Sequence, residues 1–225
     1  KALHAWSVAD LDRFWRLLWD FFELPSPPAP GAALVDPKMP GAKWFPDVEV
    51  NYGRALLAPG EDSQVAVQHF SEAREPGALT WGQLRQQSHS VAATLQALSL
   101  NPGDRVAAYL PNIPEALVAM IATTGSGALW SSCSPDFGVA SVLDRFRQIE
   151  PKVLIAVDGY RYGGRNFDRR EAIQALVGAL PSVQHIVYVP YLFPNEPAPS
   201  HINNIPVISW TSASTQRLVA GGDPF

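Results

Sequence analysis

The sequence contains a single cysteine, Cys133, among its 225 residues. One cysteine cannot form a disulfide within the chain, which excludes the disulfide-rich secreted class and favours a reducing, cytoplasmic location. Long apolar runs are also missing, because no stretch reaches the roughly 20 residues that a membrane-spanning helix needs. The first residues contain no long apolar segment either, so we predict neither a secretion signal nor a membrane partner.

Basic residues are not in excess, since 17 Lys and Arg stand against 21 Asp and Glu, for a net charge of −4. A nucleic-acid surface needs a basic excess on one face, so we predict no nucleic-acid partner. The five histidines are scattered. None has the spacing of metal ligands, so we predict no metal site in this chain. No glycine-rich phosphate loop that ends in Lys followed by Ser or Thr occurs either.

The residues that are abundant indicate a globular chain, since 47% are hydrophobic and 17% are charged. The pattern differs between the two ends. We predict an amphipathic helix over 7–22 with Ser7 as its cap, followed by a proline-rich connector and an irregular aromatic strap. Together these segments form a predicted helical and irregular N-terminal extension over residues 1–60.

From residue 61 onward, strands and helices alternate through short connections. The apolar patterns predict strands over 65–70, 78–80, 105–110, 128–133, 153–157 and 185–189. Thr80 and Gln83 have the spacing of a helix capping box, and Gly125 is predicted to allow close helix packing. Residues 169–171 are interpreted as a solvated helix face. The alternation predicts an α/β fold with a mostly parallel sheet flanked by helices.

Two loops lie beyond the carboxyl ends of predicted strands, where ligands collect in such sheets. The first spans 131–138 and includes Ser134, Pro135 and Asp136. It leads into a helix N-terminus, where free backbone N–H groups favour anions. The competing interpretation is that Asp136 only caps the helix while Ser134 and Pro135 form the turn.

The second loop, 158–166, carries Arg161 and Arg165 on either side of Tyr162 and two glycines. Guanidinium groups suit bidentate phosphate binding, a tyrosine offers a stacking face, and glycines allow close approach of the backbone. The competing interpretation is a solvent-exposed surface loop without a ligand. From the residues alone, the prediction is an α/β ligand-binding body with one basic loop.

Five segments together resemble one known family, and they span residues 36–46, 102–112, 130–138, 144–146 and 148–164. The run from Trp130 to Gly138 and the run that begins at Gln148 are the most specific of them. This combination resembles the acetoacetyl-CoA synthetase family, within the adenylate-forming acyl-CoA synthetase superfamily. The resemblance covers nearly the whole chain.

The resemblance implies a reaction in two steps. ATP and acetoacetate give acetoacetyl-adenylate and pyrophosphate with the help of magnesium, and coenzyme A then displaces AMP. It also implies that the phosphate loop and the catalytic lysine follow Phe225, and that the partner of this segment is the missing C-terminal remainder of its own chain. We therefore expect no catalytic residue in this chain, which alone should be inactive, and we assign 61–225 to an incomplete first α/β subdomain.

In the related acetyl-CoA synthetases, a turn and an arginine-containing loop hold the coenzyme A nucleotide. The resemblance implies that Arg161 and then Arg165 bind coenzyme A here, together with the turn of Ser134, Pro135 and Asp136. Two alternatives stay open. One is a non-catalytic binding or interaction module of the same fold, and the other is an acetyl- or propionyl-CoA synthetase.

Overall fold

A computed structural model describes residues 1–24, 31–216 and 225, which form two compact units, Lys1–Asn51 and Tyr52–Phe225. The first unit contains α1, α2, β1 and β2, which span Ala2–Ala9, Leu11–Phe21, Leu34–Asp36 and Lys43–Trp44. The prediction of one helix over 7–22 is wrong, because the backbone breaks at Asp10. The Asp10 carboxylate accepts a hydrogen bond from the Arg13 N–H at 3.1 Å, so Asp10 rather than Ser7 caps the second helix.

The aromatic strap of the first unit packs along α2. Asp12 on that helix accepts a hydrogen bond from the backbone N–H of Ala33 at 2.6 Å. Trp15 lies against Trp44, with ring centroids 5.5 Å apart and the rings close to perpendicular. The two tryptophan rings have the favourable edge-to-face geometry. Together, the ring contact and the hydrogen bond fix the course of the irregular segment within its own unit.

The second unit alternates helices and strands. Its helices are α3 Tyr52–Leu57, α4 Trp81–Ala97, α5 Pro114–Gly125, α6 Val139–Ile149, α7 Arg170–Ala179 and α8 Trp210–Thr215. Its strands are β3 Val65–His69, β4 Gly77–Thr80, β5 Arg105–Tyr109, β6 Leu129–Cys133, β7 Val153–Val157, β8 Gly159–Tyr162, β9 Arg165–Asp168, β10 His185–Val189, β11 His201–Ile202 and β12 Ile205–Ser209. Within the described ranges, no helix is both long enough and apolar enough to cross a membrane.

Six strands form the central sheet, in the order β11-β12-β10-β7-β5-β6. Neighbouring strands are parallel except for the pair of β11 and β12. Along β7, Val153, Ile155 and Val157 belong to the core on one face, whereas Leu154 and Ala156 belong to the core on the other. Both faces are therefore covered, and the predicted α/β fold with a mostly parallel sheet flanked by helices is confirmed.

The order of the strands reverses around β5. The helix that follows β5 packs on one face of the sheet with α4 and α8, whereas the helices that follow β6 and β7 pack on the other face. In open α/β sheets, ligands bind at such a switch point, in the crevice beyond the carboxyl ends of the strands. The segments that follow β5, β6 and β7 therefore form the candidate site.

One local prediction is confirmed in the second unit, and the close helix contact there depends on a glycine that was not predicted. Thr80 and Gln83 form the reciprocal hydrogen bonds of a capping box at the start of α4. Where α3 meets α5, Gly53 is the residue that allows the close approach, since a Cβ built on Gly53 would lie 2.6 Å from the Gly125 Cα, whereas a Cβ on Gly125 would meet the Phe225 ring. A side chain at Gly53 would therefore require one of the two backbones to shift.

Candidate functional site

The segment after β6, residues 134–138, is called here the edge turn. Tyr109, the last residue of β5, is hydrogen-bonded to the edge turn. Its hydroxyl lies 2.9 Å from the Pro135 carbonyl oxygen and 3.1 Å from the Phe137 carbonyl oxygen. Burial raises the pKa of Tyr109, so the phenol stays protonated at neutral pH and can donate to these carbonyls. The edge turn is thus fixed to the strand beside it.

Asp136 does not cap the helix that follows the edge turn. That helix begins at Val139, and Gly138 occupies the cap position without a side-chain hydrogen bond. The interpretation of Asp136 as a helix cap is therefore wrong. Asp136 is exposed, Ser134 is half-buried and Pro135 is buried. An exposed carboxylate at this edge would repel a phosphate placed directly on it.

Residues 158–166 form a hairpin rather than an irregular loop. Strands β8 and β9, residues 159–168, are joined by Gly163 and Gly164 and are called here the arginine hairpin. Both glycines have positive φ, +58° and +74°, as a two-residue hairpin turn requires. Their N–H groups donate to the two carboxylate oxygens of Glu72 at 2.9 and 2.8 Å. The hydrogen bonds from Gly164 and Gly163, and the charge of Arg161, lower the pKa of Glu72.

The register of the arginine hairpin separates its two arginines. Arg161 pairs with Asn166, and Tyr162 pairs with Arg165. Successive residues of a strand point to opposite faces, so the two guanidinium groups extend from opposite faces of the hairpin. Both arginines are exposed, and so is Tyr162. Arg165 and Tyr162 thus lie on one face of the hairpin, and Arg161 lies on the other. The two arginines can therefore contact different groups of a ligand.

Asp158 fixes the base of the arginine hairpin. Asp158 is 1% exposed, and its carboxylate accepts hydrogen bonds from three backbone N–H groups in the segment after β10. The donors are Tyr191 at 2.9 Å, Leu192 at 2.7 Å and Phe193 at 3.0 Å. Buried charges are stable when hydrogen-bonded in this way, and here the bonds tie the ends of β7 and β10 together.

Arg169 connects the edge turn to the arginine hairpin. Its Nε donates to the Pro135 carbonyl at 2.8 Å, and a terminal nitrogen donates to the Tyr160 hydroxyl at 3.2 Å. The interpretation of residues 169–171 as a solvated helix face is wrong for Arg169, which precedes α7 and is half-buried. The structure thus brings together the two segments that the sequence singled out.

Tyr109, Glu72 and Arg169 were missed by the sequence reasoning. Tyr109 carried a partial signal, because a tyrosine in a buried strand usually finds a hydrogen-bond partner for its hydroxyl, although the sequence does not say which one. Glu72 carried none, since its hydrogen-bond partners lie 91 and 92 residues further along the chain. Arg169 is 34 residues from its acceptor, which no local pattern reveals.

This edge of the sheet carries exposed groups that can bind a ligand. Over the described ranges, no group of three or more His, Cys, Asp or Glu side chains is placed to hold a metal ion. Cys133, the last residue of β6, is buried, and burial raises the pKa of its thiol. A rigid turn, two exposed guanidinium groups and an exposed tyrosine instead suit a ligand that carries phosphates and an aromatic ring.

Residues 59–216 match the family model described as AMP-binding enzyme. The chain belongs to the AMP-binding enzyme family. Its similar relatives include the acetoacetyl-CoA synthetase of Rattus norvegicus, 38% identical over 202 residues, and the acetoacetyl-coenzyme A synthetase of Rhizobium meliloti (strain 1021), 37% identical over 190. These alignments cover 86% and 84% of this chain. The chain spans 29% of the length of each of these curated relatives.

A solved structure of acetoacetyl-CoA synthetase from Streptomyces lividans is also similar. It superimposes with a TM-score of 0.87 at 42% sequence identity, over 97% of this chain and 33% of the other. The resemblance to acetoacetyl-CoA synthetases that the sequence motifs indicated is therefore confirmed by both kinds of comparison.

Proposed function

We propose that the complete protein containing this chain is an ATP-dependent acetoacetate:CoA ligase. A carboxylate oxygen of acetoacetate attacks the α-phosphorus of ATP, so that acetoacetyl-adenylate forms and pyrophosphate leaves. The sulfur of coenzyme A then attacks the acyl carbon, so that acetoacetyl-CoA forms and AMP leaves. The observation that carries the proposal is the 42% identity and TM-score of 0.87 to an acetoacetyl-CoA synthetase over 97% of this chain.

The share of this chain in the reaction is part of the coenzyme A site. The edge turn, with Ser134, Pro135 and Asp136, lies beside the arginine hairpin, with Arg161 and Arg165, at the carboxyl edge of the sheet. Guanidinium groups recognise the phosphates of the coenzyme A nucleotide by charge-assisted hydrogen bonds. Following the resemblance, the proposal assigns the sites for magnesium and ATP to the rest of the protein.

Two further expectations are part of the proposal. The cytoplasm is the proposed location, in keeping with a single buried and free cysteine. The division into an extension over 1–60 and an incomplete subdomain over 61–225 also stays a proposal, beside the compact units that divide after Asn51.

ATP–pyrophosphate exchange by the complete protein tests the first half-reaction. We expect exchange that depends on acetoacetate and proceeds without coenzyme A, because adenylate formation does not involve the thiol. A reaction without any acid is the control. Faster exchange with acetate or propionate than with acetoacetate would favour the alternative ligase. Absence of exchange with all three acids would favour a non-catalytic binding module of the same fold.

A further inference from the structure

We propose that Arg169 is a positioning residue, which sets the spacing between the edge turn and the arginine hairpin and thereby the affinity for the coenzyme A nucleotide. The identity of the ligand rests on the proposed function. The contacts that carry the inference do not, since they are all made within the chain.

The guanidinium group of Arg169 is committed to protein acceptors on both elements. Its Nε donates to the Pro135 carbonyl at 2.8 Å, and its terminal nitrogen donates to the Tyr160 hydroxyl at 3.2 Å. A planar guanidinium holds its donors at fixed angles, so two bonds fix both distance and orientation. A lysine ammonium is a point charge on a flexible stem and does not impose that geometry.

Arg169 also contacts both strands of the arginine hairpin. Tyr160 on β8 and Phe167 on β9 stack with centroids 5.0 Å apart and planes 13° apart. The guanidinium carbon of Arg169 lies 5.2 Å from the Tyr160 ring centroid and 5.8 Å from the Phe167 ring centroid. The register places these rings on the same face of the hairpin as Arg165. A shift of Arg169 would therefore be transmitted to the face that carries one of the two candidate phosphate ligands.

Each element has its own anchor in the sheet, and Arg169 joins the two anchored elements. Tyr109 holds the edge turn on β5 through the same Pro135 carbonyl that Arg169 contacts. Asp158 holds the base of the hairpin, and its backbone carbonyl accepts the Arg169 N–H at 2.7 Å. Arg169 thus bonds to the anchored parts on both sides of the crevice at the switch point.

A fixed spacing matters for a ligand that must contact both elements at once. If the two elements move independently, binding must also order them, and that cost lowers affinity. The cost falls on the coenzyme A step alone, because adenylate formation takes place before the thiol binds. Loss of Arg169 should therefore separate the two half-reactions.

Kinetics of the complete protein with two Arg169 variants and one matched control test the inference. We expect Arg169→Met to raise the KM for coenzyme A about ten-fold, the scale of one hydrogen bond from a charged group. Arg169→Lys should raise it less. Arg170→Met is the control, since that neighbour is half-buried like Arg169 but pairs with Asp168 and Glu196 rather than with the edge turn, and it should change this KM by less than about two-fold. ATP–pyrophosphate exchange should be unchanged in all three variants.

Three results would overturn the inference. They are an unchanged KM for coenzyme A in Arg169→Met, an equal rise in Arg170→Met, and a parallel loss of ATP–pyrophosphate exchange in Arg169→Met. The last result would mean that Arg169 supports the fold in general rather than the spacing at this edge.

Hydrogen exchange over residues 134–138 of the complete protein supplies a readout that is independent of coenzyme A. We expect Arg169→Met to accelerate exchange in the edge turn and Arg170→Met to leave it unchanged. Equal exchange in both variants would contradict the positioning role. Accelerated exchange in a protein that shows no coenzyme A-dependent step would instead support the positioning of the turn and contradict the proposed function.

Discussion

The 225-residue chain by itself is expected to release no pyrophosphate from ATP and acetoacetate. Adenylate formation requires preorganised donors and cations around the α-phosphorus, and removal of a single such donor typically costs about 100- to 1000-fold in rate. The proposed function assigns the phosphate loop and the catalytic lysine to the rest of the protein. This chain spans only 29% of the length of the rat relative, so most of that relative has no counterpart in it.

A pyrophosphate-release assay on the purified chain, beside the complete protein, checks this expectation. Circular dichroism of the chain should show mixed helix and strand, so that inactivity can be separated from a failure to fold. We expect the chain to match the blank without acid while the complete protein turns over. Acetoacetate-dependent release by the chain would contradict the assignment of the catalytic groups to the rest of the protein.

Arg161→Ala and Arg165→Ala in the complete protein are each expected to raise the KM for coenzyme A about ten-fold, which corresponds to losing one charge-assisted hydrogen bond. The KM for ATP should not change, because the proposed function assigns adenylation to residues outside this chain. The hairpin register places the two guanidinium groups on opposite faces, so they should contact separate groups of the ligand. Independent contacts add in free energy, and the double variant should raise this KM about a hundred-fold.

Arg147→Ala is the matched control for these two variants. Arg147 is an exposed arginine in the last turn of α6, away from the carboxyl edge of the sheet. It should leave the KM for coenzyme A unchanged. An equal rise in the KM for ATP would remove Arg161 and Arg165 from the coenzyme A site. If the double variant had the same KM for coenzyme A as the single variant with the higher KM, both arginines would act on one ligand group.

The fold could be predicted wherever burial alone decides the structure. The strand over 153–157 is observed with the predicted bounds, since all five of its residues are fully buried and their neighbours favour turns. The helix over 7–22 failed because Asp10 fits both a helix interior and a helix cap. In the structure, the hydrogen bond that the Arg13 N–H donates to the Asp10 carboxylate identifies Asp10 as a cap. The apolar stripe in the sequence is the same with or without this hydrogen bond.

The location of the candidate site could also be predicted, but its internal geometry could not. The edge turn and the basic loop follow strands, and parallel strands carry their carboxyl ends to one edge of the sheet. The bonds that shape them join distant residues, such as Glu72 with Gly163 and Arg169 with Pro135. Such pairs leave no periodic signal. The assignment of Arg161 and Arg165 to coenzyme A accordingly stays a prediction.

A competition among acids tests most directly whether the complete protein is an acetoacetate:CoA ligase. The complete protein would receive ATP, magnesium, coenzyme A and equal concentrations of acetoacetate, acetate and propionate, and the thioesters would be measured by mass spectrometry during the initial phase. The proposed function predicts acetoacetyl-CoA as the main thioester, formed together with an equal amount of AMP. Acetyl-CoA or propionyl-CoA as the main product, or no thioester at all, would contradict it.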